Sequence, residues 1–276
     1  MRIALFILLS VIAIWMAFPP ILNLLRAPRV DLYYSHIPLI PALSAYFMIR
    51  RRKELFEKSG PYHIPGLMAM AAGIGLFLMA GSREMGSGPR ATVSTSATLI
   101  FWAGSFLLLF GLKAVRKAAF PISFLIFAIP VPSSIMDEIL STIALATTHM
   151  TSLFFGVVRV PFMREDSIFH LPGFSLEIGP ECAGWRSSIA LLILSILAGH
   201  LFLKKSWKKG LLVLAVFPLA IVKNAARIVV LYLISYFIDM RFIEGGFLHR
   251  SVGYVMFFVG LCILGFVLWL LREAEG

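Results

Sequence analysis

Lys204-Lys205-Ser206-Trp207-Lys208-Lys209 stands directly before an apolar run from Gly210 to Ile238, and that junction decides the fold class. A lysine cluster followed by a run long enough to cross about 30 Å of hydrocarbon reads as a transmembrane helix that starts on the basic side of the membrane. Whether Pro218 breaks this helix stays open at this level. The pattern recurs along the chain. Candidate helices lie near 3–24, 33–49, 64–81, 94–112, 118–132, 184–203, 210–238 and 250–271. The expected architecture is all-α, a polytopic bundle of about eight spans, as a single domain over 1–276.

Composition agrees. The 276 residues are 59% hydrophobic with a mean hydropathy of +0.91. Charged residues are 14%, against about 25% in soluble domains. The net charge of +11 sits in short clusters between apolar runs, which is a topology signal and not a nucleic-acid surface. Two cysteines exclude a framework of several disulfides, and no CxxC pair suggests redox or zinc chemistry. The N-terminal run lacks a clear small-x-small cleavage site and continues past Pro19-Pro20, so it reads as a retained first span.

Between the fifth and sixth candidates, about 133–181 reads as an extracytoplasmic segment. Ser134 to Val157 is a helix of mixed polarity carrying Asp137, Glu138 and His149, suited to the interface or a cavity wall. Arg159 to Ile178 reads as an exposed loop or hairpin around Pro161, Pro172 and Gly173.

Basic clusters set the direction. Arg50-Arg51-Arg52-Lys53 with Lys58, then Lys113, Arg116 and Lys117, then Lys204 to Lys209 fall in alternate loops. The positive-inside rule makes these loops cytoplasmic and both termini internal. Cys182, just before the sixth candidate, then lies at the outer face. From Gly210 to Arg227 is about 26 Å of helix at about 1.5 Å per residue, which brings Arg227 near the outer boundary. His249 precedes the last candidate, which also starts outside. Three distant residues converge on one face.

Cys182 sits in Pro180-Glu181-Cys182-Ala183-Gly184-Trp185-Arg186. Pro180-Glu181 reads as a helix start, where free N–H groups and the helix dipole favour a thiolate. Arg186, four residues on, would share that helix face and add to the effect, while Glu181 opposes it. Arg227 lies in an apolar span, with Asn224 three residues earlier on the same face. Each has a plainer reading: Cys182 as a small packing residue, Arg227 snorkelling to the interface, His249 as an ordinary interfacial histidine. Together they supply an acyl-transfer site. Cys182 is the nucleophile, His249 the acid–base group, and Arg227 the oxyanion or substrate anchor, with Asn224 and Arg186 in support. The chain has no HExxH, GxSxG or P-loop, and no metal or cofactor is expected.

These residues resemble the exosortase/archaeosortase family of polytopic membrane cysteine enzymes. Cys182-Ala183-Gly184 is similar to its nucleophile motif, Asn224 to Arg227 to its Asn-x-x-Arg motif, and His249 to its histidine. Phe120-Pro121 through Pro130-Val131-Pro132 resembles its proline-rich span, and Tyr34-Ser35-His36 through Tyr46 its early span. Ala183 stands where a serine is frequent and Trp185 where an aliphatic residue is usual; both bear on the subfamily. The resemblance implies a protease or transpeptidase of the cytoplasmic (inner) membrane with its site facing outside. Its implied partners are exported proteins with a C-terminal sorting tail of motif, transmembrane helix and basic cluster, the lipid bilayer, and an amine or glycan acceptor, with no nucleic acid. The implied route is a thioester at Cys182. Two rivals remain at this level. A polysaccharide or lipid-linked transporter would tolerate Cys182→Ser, and a non-catalytic envelope scaffold would tolerate every single substitution.

Overall fold

The computed structural model describes residues 1–25, 33–55, 62–82, 85–237 and 247–275. Lys58 of the first basic cluster and Glu244-Gly245-Gly246 lie outside them. The chain divides into two compact units, Met1–Met136 and Asp137–Gly276.

The first unit holds α1 (Arg2–Leu25), α2 (Leu39–Arg50), the single turn α3 (Arg52–Leu55), α4 (His63–Ser82), α5 (Ser87–Lys117) and α6 (Ala119–Phe124). α5 is its axis. Half of α5's most apolar window is buried, against 11% for α1 and 17% for α4. Apolar burial alone does not drive helices together in lipid, so close approach of backbones carries the packing. Gly73 and Gly104 provide it between α4 and α5. A Cβ on Gly73 would lie 2.7 Å from the Phe101 nitrogen, and one on Gly104 2.8 Å from the Met70 nitrogen. On the other side of α5, Phe6 of α1 meets Phe106 and Phe110 edge-on at 5.5 and 5.4 Å. Trp102 Nε1 donates to Ser10 Oγ at 3.0 Å.

Among the described residues, seven helices are long and apolar enough to cross a membrane, where the sequence suggested about eight. Two expected spans are shorter helices. The one expected over 33–49 is a turn followed by the 12-residue α2. The one expected over 118–132 is α6, a 3-10 turn Leu125–Ala128, and a non-helical stretch to Pro132. Tyr34 Oη donates to the Val131 carbonyl at 2.6 Å and Thr92 Oγ1 to the Pro130 carbonyl at 2.7 Å. Residues 34 and 92 precede or begin helices that end at Arg50 and Lys117, so Pro130-Val131 reaches the end opposite the basic cluster. Extended backbone rises about 3.3 Å per residue against about 1.5 Å in a helix, so a broken segment covers the distance with few residues.

The helix expected from 134 to 157 is α7 (Ser133–Val157), and it counts among the seven long apolar helices. Two of its threonines satisfy themselves within the helix. Thr148 Oγ1 donates to Ala144 O and Thr151 Oγ1 to Thr147 O, each at 2.8 Å, and both threonines are fully buried. The loop or hairpin expected after it is a three-stranded antiparallel sheet, β1 (Met163–Glu165), β2 (Ile168–Leu171) and β3 (Phe174–Glu177), in sequence order. Pro172-Gly173 turns β2 into β3, with Gly173 at φ +98°, a conformation that suits glycine. The inward residues Phe169 and Leu171 join Phe155 of α7.

The second unit is completed by α8 (Trp185–Phe202), α9 (Ser206–Phe237) and α10 (Phe247–Glu273). α9 runs unbroken through Pro218. Leu191, Leu212, Val216 and Leu264 form a core among the three helices. Ile228, Val229 and Tyr232 of α9 pack on the sheet, with the Tyr232 ring 5.5 Å from Phe174. The lysine-rich end lies away from the sheet. There Lys208 Nζ donates to Leu271 O at 2.9 Å, and Glu275 accepts the backbone N–H groups of Lys204 and Lys205.

Candidate active site

β3 leads within a few residues to a 3-10 turn, Pro180–Ala183, that carries Cys182. Gly179 before it is extended, and Cys182 N–H closes the turn on Gly179 O at 2.9 Å. Gly184 then takes φ +61°, ψ +34°, and α8 starts at Trp185. The expected single helix from Pro180 is therefore two pieces. The thiol sits in its own turn ahead of α8, because the left-handed residue at 184 ends one helical hand-over before the next begins. This break removes the expected face shared by Cys182 and Arg186. Arg186 is exposed at the start of α8.

The cation that reaches the thiol comes from α9. Arg227 is half-buried and its guanidinium lies within electrostatic range of Cys182. It lies against α10, where a Cβ on Gly253 would be 3.7 Å from Cζ. Cys182 itself is partly buried and packs on the apolar cluster of Phe155, Phe169 and Ile228.

Asn224, one turn before Arg227, is 1% exposed. Its Nδ2 donates to the Ala183 carbonyl, and its side chain lies flat against Gly184. The helix of the arginine thus touches both residues that follow Cys182. Cys182, Asn224 and Arg227 are brought together from positions about 40 residues apart in the chain. His249 lies in the first turn of α10, four residues before Gly253 and so on the same helix face by spacing. Its side chain lies outside the described residues.

Lys223 and Ser187 went unassigned in the sequence, and Gly184 entered only as part of the motif at the cysteine. Lys223 is 5% exposed and donates from Nζ to Ser187 Oγ and, at 2.9 Å, to Asn224 Oδ1. Ser187 Oγ donates in turn to Gly184 O at 2.9 Å. Gly184 is the seat for Asn224. The cost of an ionisable residue within a span was a signal at Lys223 as much as at Arg227.

The comparisons with known proteins meet this geometry at one point. The family model described as transmembrane exosortase matches residues 29–266, a stretch that includes Cys182, Asn224, Arg227 and His249. No curated protein and no solved structure matches the chain.

Proposed function

The chain belongs to the transmembrane exosortase family, and from that premise we propose that it is a cysteine protease or transpeptidase that removes the C-terminal sorting tails of exported proteins. The observation that carries the reading is the approach of Asn224 and Arg227 to the Cys182 turn. A half-buried arginine beside a cysteine favours the thiolate, which is the attacking form. The thiolate attacks the scissile carbonyl. His249 takes the thiol proton and passes it to the leaving amine. Arg227 faces the negative charge that develops on the carbonyl oxygen, where a preplaced cation is worth most. Collapse expels the tail and leaves a thioester on Cys182. Water or an amine-bearing acceptor then releases the product.

The basic ends of the helices support an orientation with those ends in the cytoplasm and Cys182 outside. A tail with an external motif, a transmembrane helix and a basic internal end fits that orientation.

The test is mass spectrometry of envelope-protein C-termini in host cells. Cys182→Ala is expected to leave a set of proteins with apolar, basic-ended tails. Cys262→Ala, at an exposed position on α10, is expected to process them as wild type does. Equal loss from both substitutions, or wild-type processing by a stably inserted Cys182→Ala protein, overturns the assignment.

A further inference from the structure

Lys223 is the least explained charge in the second unit. It is buried within α9, and among the described residues it has no carboxylate partner. Arg227, a second cation, stands one turn further along the same helix face. An ammonium in such a place is costly, and a leucine or methionine would fill the same volume without the cost. The neighbouring helix makes room for it. A Cβ on Gly260 of α10 would come within 3.2 Å of Lys223 Cδ.

Its hydrogen bonds follow two paths with a common end. One runs from Lys223 Nζ to Ser187 Oγ, and from that hydroxyl to Gly184 O. The other runs from Lys223 Nζ to Asn224 Oδ1, and from Asn224 Nδ2 to Ala183 O. The two paths finish on consecutive peptide carbonyls, those of the two residues after Cys182. An ammonium only donates, so it selects the oxygen end of the Asn224 amide and turns the nitrogen end to Ala183. With the amide reversed, two oxygens would face each other and the turn would lose its tie. The hydroxyl of Ser187 is directed at Gly184, so Ser187 acts as a relay and not as an attacking group.

We propose that Lys223 is a positioning residue: from inside α9 it sets the Asn224 amide and the Ser187 hydroxyl, and through them holds the peptide that carries Cys182. The proposal rests on the reading of Cys182 as nucleophile and adds the part of the chain that aims it.

Processing of a tailed envelope protein by the full-length enzyme in lipid nanodiscs tests this, with kcat and KM measured separately. Misplacement of a reacting group by about 1 Å costs about 100-fold in rate. Lys223→Met is therefore expected to lower kcat about 100-fold with KM little changed. Lys223→Arg, which also only donates, should recover most of that loss. Asn224→Asp keeps the acceptor for Lys223 but loses the donor to Ala183, and should behave like Lys223→Met. Wild-type kcat in Lys223→Met, or a loss confined to KM, overturns the proposal. If Lys223→Met does not insert, Ser187→Ala decides: lowered kcat at normal protein level supports the relay, and wild-type kcat overturns it. Cys182→Ala in the same assay separates the two levels. Activity in that variant overturns the nucleophile assignment itself. Its inactivity beside a fully active Lys223→Met overturns only the positioning role.

Discussion

Gly184 is the residue with the least freedom to change. An L side chain at φ +61° costs about 1–2 kcal/mol in backbone strain, and its Cβ would fall on the Asn224 amide. Backing Asn224 away would pull its donor from Ala183. Gly184→Ala is expected to abolish tail processing while the protein remains inserted, which membrane fractionation and C-terminal mass spectrometry check together. The cysteine, the asparagine and the arginine were legible in the sequence because each is an unusual residue at a predictable depth. Lys223 was equally unusual, but its meaning depends on Ser187 and Gly184, which the chain brings near only after folding. The helix face expected to be shared by Cys182 and Arg186 is absent for a related reason. A four-residue spacing means a shared face only within one helix, and the left-handed residue between Cys182 and Arg186 is invisible to periodicity.

At the scale of elements, apolar runs found the long helices α1, α4, α8, α9 and α10 to within a few residues, and the middle of α5, which starts seven residues before and ends five after the run 94–112. They misjudged α2 and the 118–132 segment, because hydropathy measures what a segment touches and not its rise per residue. A proline-broken stretch of the same composition reads like a helix. α7 was found as a helix, and Asp137, Glu138 and His149 suited it to an interface or a cavity wall; it also carries the buried Thr148 and Thr151. Their hydroxyls close on carbonyls of the same helix, and so present little polarity to a neighbour. The packing of α4 on α5 allows a direct check. Gly75 and Gly81 have open space, whereas Gly73 and Gly104 are in close contact, although all four look alike in sequence. Gly104→Ala is expected to destabilise the first unit by about 1–3 kcal/mol through overpacking. Gly75→Ala should not, and thermal unfolding in detergent micelles distinguishes them.

At the scale of the molecule, each unit carries a cluster of cations at one end. In the first, Lys117 Nζ donates to Glu54 O at 3.2 Å beside the Arg50 to Lys53 cluster. In the second, Glu275 fastens the end of α10 to the junction of α8 and α9. The backbone N–H groups of Lys204 and then Lys205 hold its carboxyl below the usual carboxylate range. A carboxyl whose folded value is lowered contributes stability above its ordinary pKa, and loses it as pH falls through the lowered value. Amide exchange at Lys204 and Lys205 is therefore expected to quicken as the pH falls through the carboxylate range, relative to neighbouring amides after correction for intrinsic rates. Glu275→Ala should show the quickened exchange already at neutral pH. Alternation of charge along the chain made these ends readable in advance, because basic residues between apolar runs have few other places to go.

α9 joins the lysine end to the Cys182 turn without a break. From Lys208, fastened to Leu271 O, to Asn224, fastened to Ala183 O, the helix climbs about 24 Å. That length is built into a rigid rod and owes nothing to the surrounding lipid. The molecule therefore carries its own depth gauge. A thicker or thinner bilayer alters what bathes the thiol, but not how far the thiol stands from the lysines that anchor the rod.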